Sequence, residues 1–155
     1  MIVQINSKEI PFGLDANKLC CNPYPSHKEG CPNYNKKDGC PPNLPHLNDI
    51  LDFKKKIYLI YTEFDVGKHA ERMKILHKGW SERQAYCCLY WQPKARKMQR
   101  AEEEKCKKEK GIDFILNSPE AYGVNVNLLM KKIGVRLEWP PRKVTRLISL
   151  GGMKI

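Results

Sequence analysis

The first 45 residues hold seven of the chain's eleven prolines and four of its seven cysteines. Proline fixes φ and removes a backbone donor, so Pro11, Pro23, Pro25, Pro32, Pro41, Pro42 and Pro45 confine this stretch to turns and extended pieces. Irregular chain of that length stays ordered within a domain only when something staples it. Cys20, Cys21, Cys31 and Cys40 are the available staple.

The chemistry of that staple follows from cysteine usage. Seven cysteines is an odd number, and the start, MIVQINSKEIPF, has neither a basic opening nor an apolar signal core. The expectation is therefore a soluble, cytoplasmic protein whose thiols stay reduced. In a reducing compartment, clustered thiols serve metal more often than disulfides or inert burial. No membrane association is expected: the longest apolar run, Ile57 to Tyr61, falls far short of the roughly 18 residues a membrane helix needs.

Cys31 and Cys40 each stand in a Gly-Cys-Pro triplet, Gly30-Cys31-Pro32 and Gly39-Cys40-Pro41. Glycine permits close backbone approach, and proline stiffens the loop against the entropy of ordering it. The spacing Cys21-x9-Cys31-x8-Cys40 lacks the C-x2-C knuckle of most zinc fingers. Widely spaced loop thiols fit a [4Fe-4S] cluster better, because a large centre can be gripped from separated loops. A zinc site of His27, Cys31, Cys40 and His46 remains open.

The run Gly30-Cys31-Pro32-Asn33-Tyr34 followed by Gly39-Cys40-Pro41-Pro42 resembles the N-terminal signature of a prokaryotic family of cysteine-rich, predicted metal-binding proteins. Ser118 to Val126, then Leu128 to Gly134 and Leu147 to Leu150, are similar to that family's ending. Family members usually carry a further C-x2-C-x2-C-like cluster in mid-chain. Here that region reads Cys87-Cys88-Leu89-Tyr90-Trp91, with Cys106 further on. The resemblance thus implies one metal centre and leaves the activity undefined.

Beyond the arm, the pattern predicts a helix over 46–53, a strand over 57–61 and helices over 66–78 and 82–92. Pro93 kinks the last of these or opens a new helix running to Lys110. Strands over 112–116, 135–139 and 144–150 and a helix over 124–133 follow, with Gly151-Gly152 as a flexible tail. The fold class read from this is α+β: a small mixed sheet, segregated helices and a metal-stapled Cys/Pro-rich arm, in one domain over 1–155. The arm spans 1–45 and the core 46–155. On a continuous helix over 82–92, Cys88 shares the small apolar face of Ala85, which makes it the expected fourth metal ligand beside Cys21, Cys31 and Cys40. Cys20, Cys87 and Cys106 are reserves.

The formal charge is +11, and the basic excess lies outside the arm, after residue 50. Between residues 80 and 100, aromatics alternate with cations. Arg83, Tyr90, Trp91, Lys94, Arg96, Lys97 and Arg100 are the candidates for contact with RNA or DNA, cations for phosphate and rings for bases. Glu103–Lys107 and Glu104–Lys108 read as self-neutralised helix surface. The functional expectation is an iron–sulfur protein with a basic surface, serving as a cluster-dependent enzyme on nucleic acid or nucleotide. The alternative is a non-catalytic module whose zinc or cluster only staples the arm.

Overall fold

The computed structural model describes residues 1–24 and 27–155; Pro25, one of the arm's prolines, and Ser26 lie outside the described residues. Four strands form one sheet in the order β1-β2-β4-β3: β1 (Ile2–Ile5), β2 (Ile57–Asp65), β3 (Phe114–Leu116) and β4 (Val144–Gly152). Every pairing is antiparallel, so the α+β class holds while the expected mixed sheet does not. β1 lies within the segment read as turns and extended pieces. Its Ile-Val-Gln-Ile run pairs with residues 57–60 because β2 offers it a free edge.

Alternation along β2 and β4 gives the sheet two buried faces. On one, Ile57, Leu59, Tyr61 and Leu150 meet Ile10, Leu47, Leu51, Val124, Leu129 and Met130. Leu129 and Met130 belong to helix α5 (Val126–Lys132), while Ile10 and the partly buried Phe12 bring the start of the arm into the core. On the other face lies the long helix α4 (Cys88–Lys110). It sets Cys106 beside Tyr58, Ile60 and Ile112, and sets Trp91 and Ala95 beside Phe64 and Val66. Helices α1 (Leu14–Lys18), α2 (Val66–Leu76) and α3 (Glu82–Ala85) complete the chain. No helix among the described residues is long and apolar enough to cross a membrane.

Four elements differ from expectation. The helix expected from 46 is a 3-10 turn over Leu47–Asp49, and residues 135–139 are loop rather than strand. The helix expected over 82–92 breaks after Ala85, and Cys87, in extended conformation, becomes the N-cap of α4. Pro93 sits inside α4. Gly151 and Gly152 are not a tail but the end of β4. A Cβ at Gly151 would stand 2.5 Å from Ile112 Cδ1, so glycine lets the strand pass under that side chain without displacing it.

Candidate metal centre

The arm closes on itself through its backbone. Helix α1 runs into a 3-10 turn over Leu19–Cys21, ended by Asn22 N–H donating to Leu19 O at 3.1 Å. Gly30 adopts φ +84°, and a Cβ there would fall 2.6 Å from Cys20 O and 2.7 Å from Cys21 C. With hydrogen in that place, the two segments touch and Cys31 N–H donates to Cys20 O at 2.7 Å. The expected role of this glycine, permitting close approach, is thus exercised on the Cys20–Cys21 backbone. Residues 31–41 then fold back: Tyr34 N–H donates to Cys31 O, Cys40 N–H to Lys37 O, and Asn35 N–H to Pro41 O.

This folding sets the Cys31 segment against the Cys20–Cys21 turn. The Cys20 thiol, half-buried, is pushed above its ordinary value by burial first and then by the neighbouring Cys31, Cys21 and Cys40 thiols and the Glu120 carboxylate. Cys21 is exposed and neighbours the Tyr34 hydroxyl. That hydroxyl is held above its ordinary value by desolvation, then by the charge and hydrogen bonding of Cys21. Cys21, Cys31 and Cys40, named for metal in the sequence, are thus charge neighbours of the reserve Cys20. All seven cysteines are free. Among the described residues, no three Cys, His, Asp or Glu side chains are grouped as a ready-made metal site.

A family model matches residues 4–153. The chain belongs to the family described as "Predicted metal-binding protein (DUF2284)". Comparison with curated proteins and with solved structures gave no match. The family's metal-binding character suits the donor set of the arm, since soft thiolates are ligands for iron–sulfur clusters and for zinc. His27 adds a nitrogen. Its ring stacks on Tyr24 at 4.6 Å, it lines a cleft of about 400 Å³ with Cys31, and its buried Nδ1 has no partner among the described residues. His46 starts the 47–49 turn, its own N–H donating to Asp49 Oδ2 at 3.0 Å, and its ring faces Gly123.

The remaining cysteines lie elsewhere. Cys88 is exposed at the first turn of α4, where the neighbouring Leu89 is 75% exposed. The break after Ala85 resets the helical phase, so the face counted from Ala85 does not continue to Cys88. The arm's Ile10 and Phe12 also pack on the sheet face opposite α4. Cys106 is fully buried under α4, its thiol pushed up by burial.

The aromatic and basic stripe divides. Trp91 is core, stacked on Phe64 at 5.8 Å with Nε1 donating to Tyr86 O, so it is not a platform for bases. Tyr90 is half-exposed against Trp80. Arg83, Lys94 and Lys97 are exposed, whereas Arg96 and Arg100, though exposed, line a cavity. Glu103 is not helix surface: it is buried and accepts from Ser149 Oγ at 2.5 Å, while Lys107 pairs with Glu104. Glu120, Tyr34, Gln99 and Glu103 were missed in the sequence. Only Tyr34, inside the Cys31-Pro32-Asn33-Tyr34 run, carried a signal.

Proposed function

We propose that this chain is an iron–sulfur protein whose single [4Fe-4S] cluster is held by Cys20, Cys21, Cys31 and Cys40. One observation carries the reading: the Cys31 segment docks on the Cys20–Cys21 turn, with Cys31 N–H donating to Cys20 O at 2.7 Å, and Cys40 is a further charge neighbour of Cys20. Four thiolates are the usual ligand set of such a cluster, which supplies one-electron redox chemistry when bound. The chain's own part is to hold four donors in a stiff loop. Gly30 sets the approach of the Cys31 segment to the Cys20–Cys21 turn, and Pro32, Pro41 and Pro42 reduce the entropy lost on closure.

Zinc is the second reading, favoured by the buried, unpartnered His27 Nδ1 beside the cleft that Cys31 lines. A nucleic-acid partner is supported by exposed cations alone now that Trp91 belongs to the core. Anaerobic purification followed by iron, acid-labile sulfide and zinc analysis separates the metals. Brown protein with iron and sulfide in equal amounts is expected. Stoichiometric zinc without sulfide, from cells supplied with iron, rejects the cluster in favour of the His27 site.

A further inference from the structure

The outer edge of β4 is only partly covered. β3 pairs with Leu150, Gly151 and Gly152 alone, and among the described residues no strand continues beside 144–149. Helix α4, residues 117–120 and the 137–139 loop surround that edge and leave a cavity of about 620 Å³. Ligand pockets commonly span ~300–1,000 Å³.

Its floor is polar and locked. Gln99, 4% exposed, accepts from Thr62 Oγ1 at 2.8 Å and donates to Ile60 O and Ser149 Oγ at 3.1 and 3.0 Å. Ser149 in turn donates to Glu103 Oε1. Glu103 is 7% exposed, and Ser149 is its only donor among the described residues. Its Oε2 takes no hydrogen bond from the described residues and is not closed off, so it is open to a further donor in the cavity.

The wall supplies the opposite charge. Arg96 and Arg100 lie one helical turn apart on α4, and neither has an ion-pair partner among the described residues. Arg146, also in the lining, is already held by Glu63 Oε1 at 3.0 Å and by Arg136 O. At the rim, Trp139 lines the cavity yet is 73% exposed, a large flat ring left in water. Paired guanidiniums suit a phosphate, an open indole suits a planar base, and a buried carboxylate suits a hydroxyl or amine.

We propose that this notch is a mononucleotide site. Arg96 and Arg100 hold the phosphate, Trp139 stacks on the base, and Glu103 accepts from a ribose hydroxyl or base amine. Glu120 lines the same cavity, and its 119–122 turn abuts the arm, where Gly13 N–H donates to Gly123 O at 2.9 Å, so the notch lies next to the arm. A role for the nucleotide as the metal centre's substrate rests on the proposed cluster; binding itself does not.

Calorimetric titration of the full chain, metal-loaded and metal-free, with AMP, GMP, CMP and UMP, and with adenosine and inorganic phosphate, tests this. At least one monophosphate should bind about tenfold or more tighter than phosphate or adenosine, in both metal states. Arg96→Gln and Arg100→Gln should each weaken it about tenfold. Trp139→Ala should weaken the nucleotide and leave phosphate unchanged, while Lys94→Gln and Lys97→Gln on the outer side of α4 change neither. All five side chains are exposed, so circular dichroism should report an unaltered fold. Phosphate binding as tightly as every nucleotide, equal losses from the lysine variants, or no heat at millimolar ligand would each overturn the proposal. Loss of the iron–sulfur reading alone would leave the binding intact.

Discussion

Replacing Gly30 by alanine attacks a point where the Cys31 segment touches the Cys20–Cys21 turn. The new methyl carbon would stand 2.6 Å from Cys20 O and 2.8 Å from Cys21 Cα, against backbone rather than a side chain that can swing away. Three costs add: about 1–2 kcal/mol for an L-residue in the left-handed region, about 1–3 kcal/mol for the forced displacement, and about 1 kcal/mol for the Cys31–Cys20 hydrogen bond. Gly39→Ala is the matched control. Gly39 has the same φ of +84°, but its Cβ position has nothing within 4 Å, so only the first cost applies. The difference between the two variants is then about 2–4 kcal/mol, equivalent to roughly thirtyfold to several-hundredfold in metal affinity. Chelator competition on metal-free protein, with cobalt(II) as the thiolate probe, measures it. Equal affinities for Gly30→Ala and Gly39→Ala would refute the view that the Gly30 contact assembles the site.

Three further outcomes are expected. Cys20→Ser, Cys31→Ser and Cys40→Ser should each strip most bound metal while Cys88→Ala and Cys106→Ala retain it, by metal analysis of the purified variants. Retention by Cys20→Ser with loss in Cys88→Ala would restore the sequence-based ligand set. Gln99→Leu leaves Ile60 O, Thr62 and Ser149 short of partners, so urea unfolding should show a loss of about 2–4 kcal/mol with an unchanged m-value. A loss below about 1 kcal/mol would mean that the network is satisfied without Gln99. Burial raises the folded-state pKa of Cys106 above its ordinary 9.0, so the unfolded chain ionises first as pH rises. Thermal melts of metal-free protein should therefore fall in midpoint from pH about 8 to about 10, less steeply in Cys106→Ala; an identical slope in that variant would exclude the thiol as the cause.

Much of the local structure was legible in the sequence because it depends on near neighbours. Ser81 and Gln84 do form the capping box that starts α3, Gly111 ends α4 in the left-handed conformation, and the apolar run from Ile57 is a buried strand. Of the residues named for metal, Cys31 and Cys40 were singled out by their Gly-Cys-Pro triplets alone. The break between Ala85 and Cys87 was not legible. Nothing in the local pattern distinguishes one helix from two, and the error moved Cys88 from the surface to an imagined inner face.

The sequence by itself determined that proline limits the regular structure of the arm and that thiols are its available metal donors. Proline geometry, glycine freedom and thiol chemistry are properties of single residues and their immediate neighbours. Only the tertiary structure decided that Trp91 is core rather than surface, and that Arg96, Arg100, Glu103 and Trp139 line one cavity. Each of those outcomes is a contact between segments tens of residues apart. It depends on where β4 outruns β3 and which face of the sheet each segment covers, and burial pattern and spacing within one segment carry no record of that.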